Sequence, residues 1–226
     1  SPYWVSFPDF VTITGATPIY VNTVADKQYE PDFNDLEFKI SDKTKGIIIN
    51  SPSNPTGGVW SDTAIKKVLN IALKNNFDYA IMLHGDGQYH PKYILPSIKK
   101  IEQTDYAAVC GSRMMNKKNA IRGKMPFYKF LGNIFLTKLF NFIYSTNFSD
   151  CHSGYWIYNF KYIKKDLINN LTSAINFDSQ MRISLVKDNL KIGEIPIKTI
   201  YGSERSSVHL IYALKFFFET IIKKFT

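Results

Sequence analysis

"DTAIKKVLNIALKNNFDYAIMLHGDGQYHP", residues 62–91, decides how the larger part of this chain folds. Ile65, Val68, Leu69, Ala72 and Leu73 recur at i, i+3, i+4, i+7 and i+8, the spacing of a one-faced helix. Ser61 or Asp62 supplies its N-cap, and Asn75–Asn76 ends it. "FDYAIML" then reads as a buried strand, "HGDGQYHP" as a polar loop at its C-terminal end, "KYILPSIKKIEQ" as a second helix and "YAAVCGSR" as a second strand. Strand, helix and strand in that order specify a right-handed parallel crossover. Ligands of such sheets bind beyond the C-terminal strand ends, where "HGDGQ" and "GSR" both fall.

Outward from this stretch the pattern stays α/β. Upstream, "TPIYVNTV" and "KGIIIN" read as strands, the second a short apolar run of the kind buried in a parallel sheet. The loop "SPSNPTGG" follows, dense in turn-forming residues. Downstream, "EIPIKTIYG" is a strand leading into the loop "SERSS". The expected fold class is therefore α/β, a mostly parallel sheet with flanking helices. No repeat or low-complexity tract interrupts it.

Composition narrows the partners. A hydrophobic fraction of 45% with 15% aromatics is ample for a packed core in 226 residues. The net charge of +9 is unevenly spread: residues 1–61 carry 4 Lys and Arg against 7 Asp and Glu, and the remainder carries 24 against 12. A basic second part suits a partner bearing phosphates: a nucleotide, a lipid phosphate, an anionic membrane surface or a nucleic acid. Cys110 and Cys151 form no CxxC pair, which argues against a zinc ribbon or a disulfide scaffold and for a reducing, cytoplasmic setting. "SPYWVSFPDF" has no signal-peptide character and reads as an interior piece. No run is apolar enough for a transmembrane helix. "FYKFLGNIFLTKLFNFIY" (127–144) and "VHLIYALKFFFETIIKKF" (208–225) either lie flat at a membrane interface, which would place the chain at the inner face of the membrane, or cover the sheet as amphipathic helices.

Two sets of motifs then point to two families. "PYWVSFPDFVTITGATPIYV" and "KTKGIIINSPSNPTGGVWS" resemble the large domain of class I aminotransferases, pyridoxal-phosphate enzymes related to aspartate aminotransferase. The resemblance covers residues 1–61 and implies that Trp4 stacks on the cofactor ring and Asn54 hydrogen-bonds its phenolic oxygen, with the Pro55-Thr56-Gly57 turn holding Asn54. The family's Schiff-base lysine, its pyridinium-partner aspartate and its carboxylate-clamping arginine have no counterpart here, so pyridoxal phosphate belongs to the parent family and no transamination is expected.

Residues 62–226 resemble the family 2 glycosyltransferases, the GT-A group that includes dolichol-phosphate mannose synthase. "AIKKVLNIALKNNFDYAIMLHGDGQYHPKYI" carries the likeness, which continues in order through "YAAVCGSRM", "RGKMPFYKFLGN", "DCHSGYWIY", "NFDSQM" and "EIPIKTIYGSERSS". It implies a Rossmann-like GT-A core that transfers a sugar from a nucleotide-diphosphate donor to a polyprenyl phosphate or a cell-surface glycan, with Mn²⁺ or Mg²⁺ on the diphosphate. A leaving diphosphate gathers negative charge, so such a site needs a divalent cation and cationic donors. The resemblance implies metal ligation by Asp86 and Gln88, with His84 standing where a second carboxylate is usual and favouring Mn²⁺ over Mg²⁺. A loop histidine, His90, is a further candidate with a plain surface role as its alternative. Arg113, Arg205, Ser206 and Ser207 are implied on the donor side, where a planar guanidinium suits phosphate oxygens. An inverting displacement needs a carboxylate base, for which Asp150 is the first choice and Asp178 the second. Trp156 stands where an arginine often follows "HSGY", which removes a phosphate contact.

The family's first segment, which grips base and ribose, is missing from this stretch, and the aminotransferase-like piece stands in its place. The core is thus expected to be truncated at its N-terminus, with the seam near Gly58–Ala64. Three accounts follow: a working glycosyltransferase whose strand "GIIIN" pairs with "AIML", an open reading frame joined from two enzymes and inactive because truncated, or a non-catalytic basic module binding membranes or nucleic acid.

Overall fold

The computed structural model describes residues 2–83, 88–171, 177–199, 201 and 210–225. The chain forms two compact units, Ser1–Phe77 and Asp78–Thr226. The seam expected near Gly58–Ala64 falls at the start of the helix over residues 62–74, whereas the compact units divide after that helix.

The regular elements of the first unit are mainly helices. It holds α1 (Ser6–Ile13), a two-residue antiparallel pair of β1 (Thr23–Val24) and β2 (Glu30–Pro31), α2 (Phe33–Lys39) and α3 (Asp62–Lys74). α2 begins at Asp32, whose carboxylate accepts from the amides of Asn34 and Asp35. α3 begins at Ser61, whose hydroxyl accepts from the Ala64 amide, and it stops at Asn75. Val68 and Ile71 of its apolar face pack on Leu36, with Val21, Phe33, Ile40, Ile47 and Trp60 around them. Of the two strands expected here, only Thr23–Val24 of "TPIYVNTV" is extended in a pair. "KGIIIN" forms no strand, and Ile48 and Ile49 are exposed. An apolar run becomes a buried strand only with neighbours to satisfy its amides and carbonyls, and the described residues provide none here.

The second unit carries a four-stranded sheet in the order β3 (Tyr79–Leu83), β5 (Tyr155–Asn159), β4 (Ala108–Ser112), β6 (Ile192–Pro196). Its helices are α4 (Ile94–Thr104), α5 (Lys117–Arg122), α6 (Phe127–Tyr144), α7 (Lys165–Asn169), α8 (Phe177–Lys187) and α9 (Leu210–Phe225). β3 and β4 run the same way, as the crossover requires, and β6 is parallel to β4. They are not neighbours, however, because β5 lies between them, antiparallel to both. The sheet is therefore mixed, which corrects the mostly parallel sheet expected from the sequence. "YWIY" is apolar at every position and buried throughout, so periodicity carries no information about its direction or its place in the sheet.

Val109, Tyr155, Ile157, Ile195 and Ile197 form the core on one side with Ile101 of α4 and Tyr89. Phe140, Tyr144, Cys151 and Ile183 form a second cluster beneath α6 and α8. Gly111 is needed where a Cβ would lie 2.7 Å from Ile197 and 3.1 Å from the Tyr155 ring. Among the described residues no helix is long and apolar enough to cross a membrane.

Candidate functional site at the C-terminal strand ends

The strand ends of the second unit converge on one guanidinium. Arg113 follows β4 directly. Its Nε donates to Asp150 Oδ2 at 2.7 Å, and its Nη2 donates to Asp150 Oδ1 at 2.9 Å and to the His152 carbonyl at 2.7 Å. Nη1 donates to the Tyr201 hydroxyl at 3.0 Å. Asp150 also accepts from the backbone amides of Arg113 and His152 and from Asn133 Nδ2, which makes five donors on one carboxylate. Its side chain is fully buried, and that of Arg113 is 10% exposed.

The electrostatics follow from this geometry. Burial alone would raise the Asp150 carboxyl, but the Arg113 charge and the donors on both oxygens outweigh it and hold the group well below the usual carboxylate range. In Arg113 the cost of burial is likewise outweighed by the Asp150 charge. Burial pushes His152 down to about 3, helped by the nearby charge of Arg182, so its imidazole is neutral at physiological pH. Lys129, in the first turn of α6, sits with Nζ 5.7 Å from the centre of the Tyr201 ring, and burial followed by the Arg113 charge lowers its pKa. Two cations thus flank Tyr201, and Asp150 neutralises one of them.

Described residues that flank the loops expected to hold the donor share this edge. Tyr89 and Thr199 face each other across an antiparallel bridge, and the Tyr89 hydroxyl accepts from the Gly154 amide at 3.2 Å. The Tyr201 amide donates to the Gly123 carbonyl at 2.9 Å, and a Cβ on Gly123 would lie 2.1 Å from the Thr199 carbonyl oxygen. Gln88, half-buried, is next to Tyr89. His84, Asp86, Arg205, Ser206 and Ser207 lie outside the described residues. Among the described residues no group of three His, Cys, Asp or Glu side chains could hold a metal ion. His90 has a local task, since its Nδ1 accepts from the Lys92 amide at 3.0 Å and caps the turn over Pro91–Tyr93.

The two carboxylates proposed as base are thus treated differently. Asp150 is the counter-ion of Arg113, and a carboxylate saturated by five donors in a buried place is a poor proton acceptor. Asp178 is half-buried in the first turn of α8 and accepts from the Ser179 amide at 2.8 Å. Its charge acts on Tyr158, which pairs with Ala80 and Ala108, toward the other end of the sheet from Ser112. No hydrogen bond among the described residues links Asp178 to Arg113. Trp156 is buried in the sheet, its indole nitrogen donating to the Ser153 carbonyl at 2.8 Å. Sequence reasoning missed Asn133, Lys129, Tyr201 and Glu194. Asn133 and Tyr201 bond the ion pair directly, while Glu194 accepts from the amides of Ser149 and Asp150 just before it. The one available signal was the polar row Asn133, Thr137 and Asn141 at i, i+4 and i+8 on a helix otherwise rich in aromatic and aliphatic residues.

In the first unit, Trp4 meets Phe7 and Phe10 edge-on at 5.6 and 5.7 Å, and Asn54 is exposed in the turn closed by the Gly57 amide on the Ser53 carbonyl. Gly57 takes a φ of +72°, which suits glycine there. No hydrogen bond or ring contact among the described residues joins Trp4 to Asn54. A ring already flanked by two phenylalanines and an exposed amide do not make a pyridoxal-phosphate site.

Comparison with known proteins agrees with two successive resemblances. The family model for aminotransferase class I and II matches residues 1–112, and that for glycosyl transferase family 2 matches residues 60–167. An aspartate aminotransferase of Bacillus sp. is 44% identical over 75 residues, 33% of this chain and 19% of that protein. A probable aspartate/prephenate aminotransferase of Aquifex aeolicus is 30% identical over 111 residues, 46% of this chain and 28% of that protein. That of Rickettsia typhi is 48% identical over 71 residues, 31% of this chain and 17% of that protein. The chain spans less than a third of the length of these relatives. It is similar to two transferase families in succession, class I and II aminotransferases through residue 112 and family 2 glycosyl transferases from residue 60, the matches overlapping over residues 60–112.

Proposed function

We propose that the second unit is the nucleotide-sugar site of a glycosyltransferase, acting on a polyprenyl phosphate or cell-surface glycan acceptor. The observation that carries this reading is the Arg113–Asp150 pair at the C-terminal strand ends, with Lys129 beside it across Tyr201. Among the described residues Arg113 spends its Nε and Nη2 on Asp150 and the His152 carbonyl and makes one contact from Nη1, to Tyr201, which leaves a further N–H to offer an anion. Diphosphate oxygens are suited to this donor set. In this reading Asp86 holds a divalent ion with Gln88 and His84, the ion offsets charge on the leaving diphosphate, and Arg205, Ser206 and Ser207 close the donor side. Asp150 is committed to Arg113 and serves this reading as its counter-ion rather than as the base.

Calorimetry with Mn²⁺-UDP and Mn²⁺-GDP on wild type and Asp86→Ala tests the reading. Loss of a metal ligand is expected to weaken binding roughly tenfold or more. Equal affinities would remove Asp86 from the site, and no binding of either nucleotide to wild type would remove the donor site itself.

The acceptor reading draws support from α6, where Tyr128, Leu131, Phe135 and Phe142 are exposed along one face with Lys138 among them. Such a face suits peripheral contact with an anionic lipid surface. Phe135→Ser is expected to reduce co-sedimentation with phosphatidylserine vesicles by several-fold. Unchanged partition would set membrane contact aside.

The aminotransferase matches favour a second reading, in which residues 1–61 are a piece of an aminotransferase large domain and this chain joins parts of two enzymes. A long read of source DNA across the codons for Gly58 to Ala64 decides between one continuous frame and two.

A further inference from the structure

The segment Phe148–His152, which carries Asp150, is held almost entirely by side chains from elsewhere. Asn133, Thr137 and Asn141 lie at i, i+4 and i+8 on α6, and each engages it. Asn141 donates to the Phe148 carbonyl at 2.8 Å and accepts from the Phe148 amide at 2.9 Å. Thr137 accepts from the Cys151 amide at 3.1 Å, and Asn133 donates to Asp150 Oδ1 at 2.7 Å. From β6, Glu194 accepts from the amides of Ser149 and Asp150 at 2.8 and 3.1 Å. From α8, the buried Arg182 donates to the Cys151 carbonyl, its guanidinium 4.8 Å from the Phe140 ring centre and 5.9 Å from that of Trp156.

Within this frame the orientation of the Asn133 amide is determined. Thr137 takes the Cys151 amide on its oxygen and gives its own proton to Asn133 Oδ1 at 3.2 Å. Asn133 must then turn Nδ2 toward Asp150. Both side chains are buried, so water does not compete. The Asp150 oxygen that receives Asn133 is the one that receives Arg113 Nη2, so Asn133 sets where the fork of the guanidinium rests.

We propose that Asn133 is a positioning residue that aims the Arg113 guanidinium, acting through the carboxylate of Asp150. Its importance for ligands rests on the reading of Arg113 as an anion-binding group, but the aiming itself does not. A turn held by side chains from two helices and a strand, α6, α8 and β6, beside the Arg113 cation is the arrangement expected where one geometry has to be kept within a fraction of an ångström.

The test is hydrogen exchange at the Arg113 Nε–H, followed by ¹H–¹⁵N NMR in wild type, Asn133→Ala and Asn141→Ala, with the Val109 amide of β4 as the reference for global opening. Asn133→Ala is expected to speed exchange at Arg113 Nε–H at least tenfold while Val109 keeps its protection. Asn141→Ala, at the far end of the segment, is expected to change Arg113 much less. Pyrophosphate titration gives the second readout: Asn133→Ala weakens binding several-fold in the wild-type background and adds nothing in Arg113→Lys. If Asn133→Ala does not fold, Asn133→Ser, whose donor is too short to reach Asp150, is read in the same way. Unaltered Arg113 exchange, or a loss shared equally by Val109, overturns the proposal. Altered exchange with no pyrophosphate binding to wild type upholds the positioning role and overturns the anion-binding reading of Arg113.

Discussion

Asp150→Ala is expected to cost the sheet-bearing unit about 3–5 kcal/mol of unfolding free energy, because it leaves a buried guanidinium without its counter-charge. The side chain of Asp150 is fully buried and that of Arg113 nearly so, and among the described residues the partners that remain for Arg113 are the His152 carbonyl and the Tyr201 hydroxyl. Neither carries a charge. Asp150→Asn keeps the shape and one acceptor oxygen, so its cost is expected to fall between wild type and Asp150→Ala. Urea unfolding reads this through Trp156, the one tryptophan of residues 78–226, in a background with Trp4 and Trp60 replaced by phenylalanine. A loss below about 1 kcal/mol for Asp150→Ala, the level of an exposed ion pair, would mean that water reaches the pair and that Arg113 is not fixed.

Acid lability is the second large effect. Burial, with the Arg182 charge behind it, takes His152 from its ordinary 6.5 to about 3 in the folded protein. A base whose folded pKa is depressed stabilises the fold above its unfolded value, and that contribution is lost as pH falls from 6.5 toward 3. Asp150 acts in the same direction at lower pH: its folded pKa lies below the ordinary 3.8, so its contribution is present above 3.8 and disappears beneath it. Glu194 opposes them, because burial raises its pKa and makes protonation easier in the folded state. The histidine dominates between pH 6.5 and 4.5. Stability of the second unit is expected to fall by about 2–3 kcal/mol across that interval. His152→Asn should flatten the profile. A urea midpoint that is constant from pH 6.5 to 4.5, or one that falls equally in His152→Asn, would show that another group carries the acid sensitivity.

The residues that proved legible from sequence were those whose signal is local. α3 runs from its Ser61 cap to Asn75 because the apolar period and the cap chemistry agree over one continuous stretch. β3, α4 and β4 follow in the expected order for the same reason. "KGIIIN" has as apolar a face as β3 and forms no strand, because a strand is stabilised by neighbours that no local pattern specifies. Asp150 was legible as an important residue, but its task was not. Whether a carboxylate is a base or a counter-ion depends on how many donors reach it, and here they come from the residue after β4, from α6 and from its own turn.

By itself, the sequence determined the α/β alternation, the two-part charge distribution, the likeness to two transferase families and the placement of Arg113 just past a strand end. Only the tertiary structure decided that β5 enters between β3 and β4, that Asp150 is the counter-ion of Arg113, and that Asn133, Lys129, Tyr201 and Glu194 gather around them. The physical reason is the range of the interactions. Propensity and periodicity act over a few residues, whereas burial of a charge and satisfaction of its donors join positions as far apart as Arg113 and Tyr201, and so exist only once the chain has closed on itself.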